Sequence, residues 1–128
     1  GPGTMMNVIM REIGKKLDEL SREFYESVIP PIDMYEEGGE LVVVADLAGF
    51  NKDKISVRLS AQNELIINAE REIQYIGTKY ATQRPLKIHK VIRLPVKVKR
   101  DSQVTDKYEN GVLTIRIPVE GSVSIRIE

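Results

Sequence analysis

The stretch VTDKYENGVLTIRI, residues 104–117, decides the fold of this 128-residue chain. It consists of two runs of alternating apolar and polar residues, 104–109 and 112–117, joined by Asn110-Gly111. Asn-Gly between two such runs is a strong hairpin signal, because the favoured tight turn needs positive φ at both central residues. The stretch therefore predicts a two-stranded antiparallel hairpin.

The part of the chain before this hairpin contains five further short runs of strand-like pattern. These runs are residues 32–36, 41–47, 55–59, 65–69 and 87–94. Residues that favour turns, among them Gly38-Gly39 and Asn63, lie between them. Short strands with frequent turns and little helix between them are typical of an antiparallel β-sandwich. The sequence therefore predicts an all-β fold for most of the chain.

Residues 5–29 have the spacing of an amphipathic helix, which we call the arm. Its apolar stripe recurs every three or four residues and comprises Ile9, Ile13, Leu17, Leu20, Phe24 and Val28. Pro30-Pro31 ends the helix. Such a stripe either packs on the domain or a partner, or forms an arm that binds other proteins or a membrane surface. Because a surface anchor carries a basic polar face and this one is mixed, a membrane surface is disfavoured.

Residues 71–86, here called the long loop, do not fit a compact sandwich. Connections of this length in a small domain are usually functional or disordered. The long loop contains Ile73, Tyr75, Ile76 and Tyr80, and this aromatic and apolar content argues against disorder. We expect a projecting hairpin or strand that docks on a second copy of the chain.

The tail, residues 119–128, ends in two bulky apolar side chains, Ile125 and Ile127. Residues two apart in an extended segment point the same way. Full burial of each is worth roughly 1.5–3 kcal/mol, which a free tail would not gain. The spacing leaves two interpretations open: the pair enters a groove on another subunit, or it folds back on its own domain.

Composition excludes several classes of function. Lys and Arg number 19 and Asp and Glu number 19, so there is no basic excess that would indicate nucleic-acid binding. The chain has no Cys and a single His, His89, which leaves no credible metal site, cofactor site or catalytic nucleophile. No apolar run is long enough to span a membrane and no signal peptide is visible, so we expect a cytoplasmic protein. Residues 1–4 are typical of an expression-tag remnant.

Several segments, taken in order, resemble the α-crystallin domain of the small heat-shock protein family. The resemblance is to the archaeal type of this family. The segments are Pro31–Glu36, Ala45-Asp46-Leu47-Ala48-Gly49-Phe50, Leu65–Glu70, Ile92-Arg93-Leu94-Pro95, Glu109-Asn110-Gly111-Val112-Leu113 and Ile125-Arg126-Ile127. The resemblance covers residues 30–128. It implies an immunoglobulin-like sandwich over residues 30–118, preceded by the arm and followed by the tail.

The resemblance also implies an activity and three interaction surfaces. The activity is that of an ATP-independent holdase, which binds non-native client proteins through the arm and prevents their aggregation. The implied dimer interface, in which the long loop supplies a swapped strand, comprises Ile32, Met34, Tyr35, Ile73, Tyr75, Ile76, Tyr80 and Lys90. The implied groove that receives the Ile-x-Ile tail of another dimer is lined by Ile55, Val57, Leu59, Val104, Asp106 and Tyr108.

This sequence departs from the family pattern at three positions. Ala48 replaces the usual Pro, and Lys90 stands where the family often has Arg, which weakens any bidentate ion pair there. Asp106 stands where the family has Ala, and alternation places it on the same face as Val104 and Tyr108. A desolvated, unpaired carboxylate costs several kcal/mol. We therefore predict that Asp106, a candidate engineered change, weakens tail docking and leaves dimers or loosened oligomers.

A second interpretation assigns the same sandwich fold a different function. A co-chaperone or scaffold domain of the same fold would bind one defined protein partner. Such a domain would lack both the long dimerising loop and the Ile-x-Ile tail, which this chain has. The holdase is therefore the favoured prediction, with the chain itself and non-native proteins as partners and with no nucleic acid and no obligate membrane.

Overall fold

Two antiparallel sheets preceded by one helix make up the computed structural model, which describes residues 2–99 and 104–121. The elements are α1 (Pro2–Val28), β1 (Ile32–Glu37), β2 (Glu40–Asp46), a short 3₁₀ helix (Lys52–Lys54), β3 (Ile55–Leu59), β4 (Glu64–Glu70), β5 (Lys87–Arg93), β6 (Thr105–Glu109) and β7 (Val112–Pro118). One sheet has the strand order β1-β2-β7-β6 and the other has the order β3-β4-β5. The predicted all-β sandwich with an N-terminal helix is confirmed.

The hairpin of β6 and β7 has the predicted turn. Asn110 and Gly111 both have positive φ, 53° and 77°, and Glu109 pairs with Val112 across the turn. A Cβ atom on Gly111 would lie 2.9 Å from the Cα of Ala48, which is too close for any side chain. The glycine is therefore required twice, by its backbone conformation and by the packing of the turn on the β2–β3 connection.

The core lies between the two sheets. The inward side chains of four strands are almost completely buried there: Leu41, Val43 and Ala45 of β2, Leu65, Ile67 and Ala69 of β4, Ile88 and Ile92 of β5, and Leu113, Ile115 and Ile117 of β7. These side chains recur every second residue in β2, β4 and β7 and four residues apart in β5, so in each strand they lie on one face. The strand-like runs predicted at 41–47, 65–69, 87–94 and 112–117 therefore supply this core.

Boundaries differ from the predicted ones by one residue at most for every strand. The helix differs more, since it begins at Pro2 and includes the residues 2–4 that were predicted to form a separate tag remnant. Proline suits the first turn of a helix, because its missing N–H would have had no partner there. At the other end the helix stops at Val28, before Pro30-Pro31, as predicted.

The two segments predicted to reach other subunits are described to different extents. Among the described residues, the long loop contains no strand within a single chain, and its ends are joined by a hydrogen bond from Arg71 N to Leu86 O (2.9 Å). The tail is described only as far as Gly121, so Ile125 and Ile127 lie outside the described residues. Within residues 2–99 and 104–121, no helix is long and apolar enough to cross a membrane.

Candidate interaction surfaces

The helix α1 rests on the sandwich by its polar face, which we define as Asp18, Ser21, Arg22 and Glu26. These four are half-buried, whereas most of the other side chains of α1 are exposed. Asp18, Arg22 and Glu26 are spaced four residues apart, which places them on one side of the helix, opposite the apolar stripe, and Ser21 lies between that side and the stripe. The arm therefore contacts its own domain with charged groups and turns its apolar side away.

Hydrogen bonds from the polar face reach the long loop and β5. Thr82 N donates to Asp18 Oδ2 (3.3 Å) and Arg22 Nη2 donates to Tyr75 Oη (3.2 Å). Lys87 N donates to Glu26 Oε2 (3.1 Å). The Nε of Arg22 is also buried there, and it has no acceptor within residues 2–99 and 104–121. An open cleft of about 420 Å³ separates this part of the helix from the loop.

The apolar stripe is open to solvent along its whole length. Its six residues are each between 45% and 60% exposed: Ile9, Ile13, Leu17, Leu20, Phe24 and Val28. Contiguous exposed apolar surface on a small protein marks an interaction site more often than not. The structure therefore leaves the residues predicted for client binding available to other molecules.

The long loop exposes two of its four predicted interface residues completely. Ile76 and Tyr80 are 102% and 92% exposed, Tyr75 is 38% exposed, and Ile73 is half-buried. Of these, Tyr75 contacts the arm through Arg22. The apolar tip of the long loop thus points into solvent while the residues that flank it are held.

Arg71 holds the base of the long loop. Its Nη1 donates to Gly49 O (3.2 Å), its Nε donates to Pro85 O (2.8 Å), and its guanidinium lies 4.3 Å from the centre of the Phe50 ring. Partial burial lowers the pKa of Arg71 below its ordinary value, and the neighbouring charge of Arg84 lowers it further. Arg71 therefore ties the two ends of the loop to the β2–β3 connection.

The other predicted dimer residues lie at the β1 edge and on β5. β1 is an edge strand of its sheet, with Ile32 and Met34 packed against the core and Tyr35 47% exposed. Lys90 of β5 donates from its Nζ to Val28 O (3.3 Å), at the C-terminus of α1. A cation is favourable at that end of a helix dipole. In the single chain Lys90 thus contacts the arm.

The residues predicted to line the tail groove lie on two edge strands of different sheets, β3 and β6, with Val104 directly before β6. The apolar ones are half-buried and pack against the core: Ile55, Val57, Leu59, Val104 and Tyr108. The hydroxyl of Tyr108 lies 2.6 Å from Leu47 O and 2.9 Å from Phe50 O, in the connection that leads to β3, so these two carbonyls share its single proton. This contact holds β6 against the β2–β3 connection.

Asp106 is exposed and lies opposite Ile115 in the pairing of β6 with β7. Residues directly opposite in an antiparallel pair point to the same face of the sheet. Because Ile115 points into the core, the Asp106 carboxylate lies on the core side of the β6 edge, as Tyr108 does opposite Leu113.

Two sets of contacts are not predicted from the sequence. The sequence analysis identifies the arm's mixed polar face, on which Asp18, Arg22 and Glu26 recur every four residues, but it does not predict that this face contacts the domain. The Arg71 contacts gave no sequence signal, since the partners Gly49 and Pro85 are 22 and 14 residues away.

His89 donates to Asn68 Oδ1 (2.6 Å), and the described residues contain no cluster of three His, Cys, Asp or Glu side chains that could hold a metal.

Comparison with known proteins gives the family. Residues 33–128 match the Hsp20/alpha crystallin family. A probable 15 kDa heat shock protein from Leptospira interrogans is 24% identical over 128 residues, and the match covers 97% of each chain.

Solved structures give closer relatives. The chain is 99% identical to a Del-C4 mutant of hsp14.1 from Sulfolobus solfataricus P2, with 93% of this chain and 98% of that chain covered and a TM-score of 0.79. It is also 99% identical to an alanine-to-aspartate mutant of hsp14.1 from the same organism, with 94% and 100% covered and a TM-score of 0.76. Proteins of this family are chaperones that act without ATP, form oligomers and bind non-native proteins, and they are not enzymes. The chain therefore belongs to the Hsp20/alpha crystallin family, as a small heat-shock protein of archaeal type.

Proposed function

We propose that this chain is a holdase that captures unfolding proteins on the apolar stripe of α1. The observation that carries this proposal is the orientation of the helix, whose polar face rests on the domain while the apolar stripe is 45% to 60% exposed. A surface of this kind can bind exposed apolar segments of a client without any rearrangement of the core. No nucleotide is needed, because burial of apolar area alone drives the association.

The start of the arm extends this surface with adaptable side chains. Met5, Met6 and Met10 are 57% to 69% exposed. Unbranched, polarisable methionine side chains can fit irregular apolar partners. This composition favours binding of many different non-native proteins over recognition of one defined partner.

For the dimer we propose exchange of the long loop between two copies. The exposed tip residues Ile76 and Tyr80 of one copy would add a strand to the β1 edge of the other, beside Ile32, Met34 and Tyr35. Addition of a strand to an open sheet edge satisfies backbone groups on both partners. The open β1 edge and the exposed tip support this assignment. This proposal divides the chain into an arm (5–29), a sandwich (30–118) that includes the long loop (71–86), and a tail (119–128).

For larger assemblies we propose that Ile125 and Ile127 enter the groove between β3 and β6 of another dimer. The half-buried apolar residues on both edges support a site of this character. Contacts of this head-to-tail type propagate from dimer to dimer and close into a shell, and many weak tails together give avidity.

Asp106 weakens this tail contact in our proposal. Docking two isoleucines beside Asp106 would desolvate its carboxylate at a position with apolar neighbours. One of the solved relatives carries the same kind of exchange, from alanine to aspartate. Light scattering should give a larger particle mass for Asp106→Ala than for the present chain, and equal masses would contradict this part of the proposal.

The holdase activity is tested by turbidity of a heat-labile client protein, without nucleotide. We expect the present chain to suppress aggregation at a stoichiometric ratio. The double substitution Leu17→Ser with Phe24→Ser should abolish most of this suppression, because it makes the apolar stripe polar. The matched control, Lys16→Ser with Glu23→Ser, changes exposed charged residues of the same helix and should retain it. Equal suppression by both variants would overturn the role of the stripe.

A further inference from the structure

The arm contacts the long loop on both sides of its tip. Before the tip, Tyr75 Oη accepts a hydrogen bond from Arg22, and after the tip, Thr82 N donates to Asp18. The residues between these two contacts include Ile76 and Tyr80, the two most exposed large apolar side chains of the loop. The helix therefore holds the loop where the tip begins and where it ends.

Further contacts fix the base of the same loop. Arg71, at the start of the loop, donates to Pro85 O near the end of the loop and to Gly49 O in the β2–β3 connection. Glu26 accepts a hydrogen bond from Lys87 N, one residue beyond the loop. In two of the arm contacts a backbone N–H donates to a carboxylate. Thr82 N donates to Asp18, and Lys87 N donates to Glu26. Hydrogen bonds with an ionised partner are stronger than neutral ones. The arm thus restrains the backbone of the loop region as well as its side chains.

We propose that the polar face of α1 is a positioning element for the dimer, which holds the long loop so that its tip is presented to the β1 edge of a second copy. This inference rests on the proposed function of the loop as the dimerising segment. Ordering a flexible segment on binding costs conformational entropy, and a segment that is already restrained loses less of it. The two faces of one helix then have separate tasks, with clients on the apolar stripe and dimer geometry on the polar face.

A different role for the same contacts would change dimer stability in the opposite direction. If the arm were a lid that keeps the loop from its partner, removal of the contacts would tighten the dimer. Under our proposal removal weakens it. The sign of the change therefore distinguishes a positioning element from an autoinhibitory one.

The first experiment compares Asp18→Ala and Glu26→Ala with the control Glu12→Ala. Alanine is the best helix former, so all three variants keep the helix, and each removes one negative charge. Glu12 is exposed, and its ion pair within residues 2–99 and 104–121 is with Lys15 of its own helix. We expect the dimer dissociation constant, from sedimentation velocity over a dilution series, to rise roughly two- to tenfold for each polar-face variant, the range for one lost hydrogen bond. The control should leave it unchanged.

The second experiment asks whether Arg22 acts through Tyr75. Tyr75→Phe removes only the hydroxyl that accepts from Arg22. Arg22→Ala and Tyr75→Phe should each weaken the dimer, and the double variant should be no weaker than Arg22→Ala alone. Hydrogen exchange of the Thr82 amide should accelerate in Asp18→Ala, at an unchanged midpoint of thermal unfolding. Fully additive effects, or an unchanged Thr82 amide, would contradict the inference.

A loop variant separates failure of this inference from failure of the proposed function. Ile76→Ser with Tyr80→Ser should weaken the dimer if the loop tip forms the interface. If this variant leaves the dimer intact, the proposed dimerisation by the loop fails and the inference fails with it. If it weakens the dimer while Asp18→Ala and Glu26→Ala do not, or if these two tighten it, only the inference is overturned.

Discussion

The apolar stripe of α1 and the inward side of β7 are both regular apolar patterns, but one is exposed and the other is buried. Leu113, Ile115 and Ile117 of β7 are at most 2% exposed, whereas the six stripe residues are 45% to 60% exposed. The period of a pattern shows which residues share a face. Whether that face is covered depends on what the opposite face of the element contacts. In α1 the polar face makes these contacts, so the apolar stripe stays exposed and adds little to the stability of the domain.

The largest expected effect is on the buried side of this comparison. Ile115 is fully buried between the sheets, so Ile115→Ala loses apolar burial and leaves a cavity. We expect the free energy of unfolding to fall by about 2–5 kcal/mol, measured by urea denaturation. A loss below about 1 kcal/mol would show that the sandwich core is not as closely packed as the structure indicates.

The sequence predicts the buried side of the comparison well and the exposed side only in part. The strand-like runs that correspond to β2, β4, β5 and β7 are local signals, and they predict the strands that supply the core. The helix of the arm is predicted with equal success by its period. The orientation of the helix is not predicted, because it depends on contacts such as Asp18 with Thr82, which are 64 residues apart. The spacing of residues within the helix carries no information about such contacts.

The turn that joins β6 and β7 gives the next largest effect. In Gly111→Ala the alanine would have to keep a positive φ, which is unfavourable for it, and its Cβ would lie 2.9 Å from the Cα of Ala48. We expect a loss of roughly 1–3 kcal/mol in the free energy of unfolding. Gly38→Ala is the matched control, since Gly38 also has positive φ (59°) but open space around it. If both variants lose the same free energy, the contact with Ala48 carries no cost.

The same substitution in the exposed helix should act in the opposite direction. Gly14 lies within α1 and a Cβ there would meet nothing within 4 Å. Alanine is favoured over glycine in a helix interior by up to about 1 kcal/mol. We expect Gly14→Ala to raise helicity, measured by circular dichroism at elevated temperature, without changing the unfolding of the sandwich. A destabilised sandwich would mean that Gly14 contacts another part of the protein in solution.

The smallest expected effect on stability is at the centre of the stripe. Leu17 is 58% exposed, so Leu17→Ala removes little buried area, and alanine is also a good helix former. We expect the free energy of unfolding to change by less than about 0.5 kcal/mol in urea denaturation, the usual range for surface substitutions. The same variant should suppress aggregation of a client less well, because the stripe loses apolar area. A loss of stability comparable to that of Ile115→Ala would show that the stripe is packed against a second copy in solution. In that case its residues would belong to an interface between subunits, and the contrast between a buried and an exposed apolar face would hold only for the isolated chain.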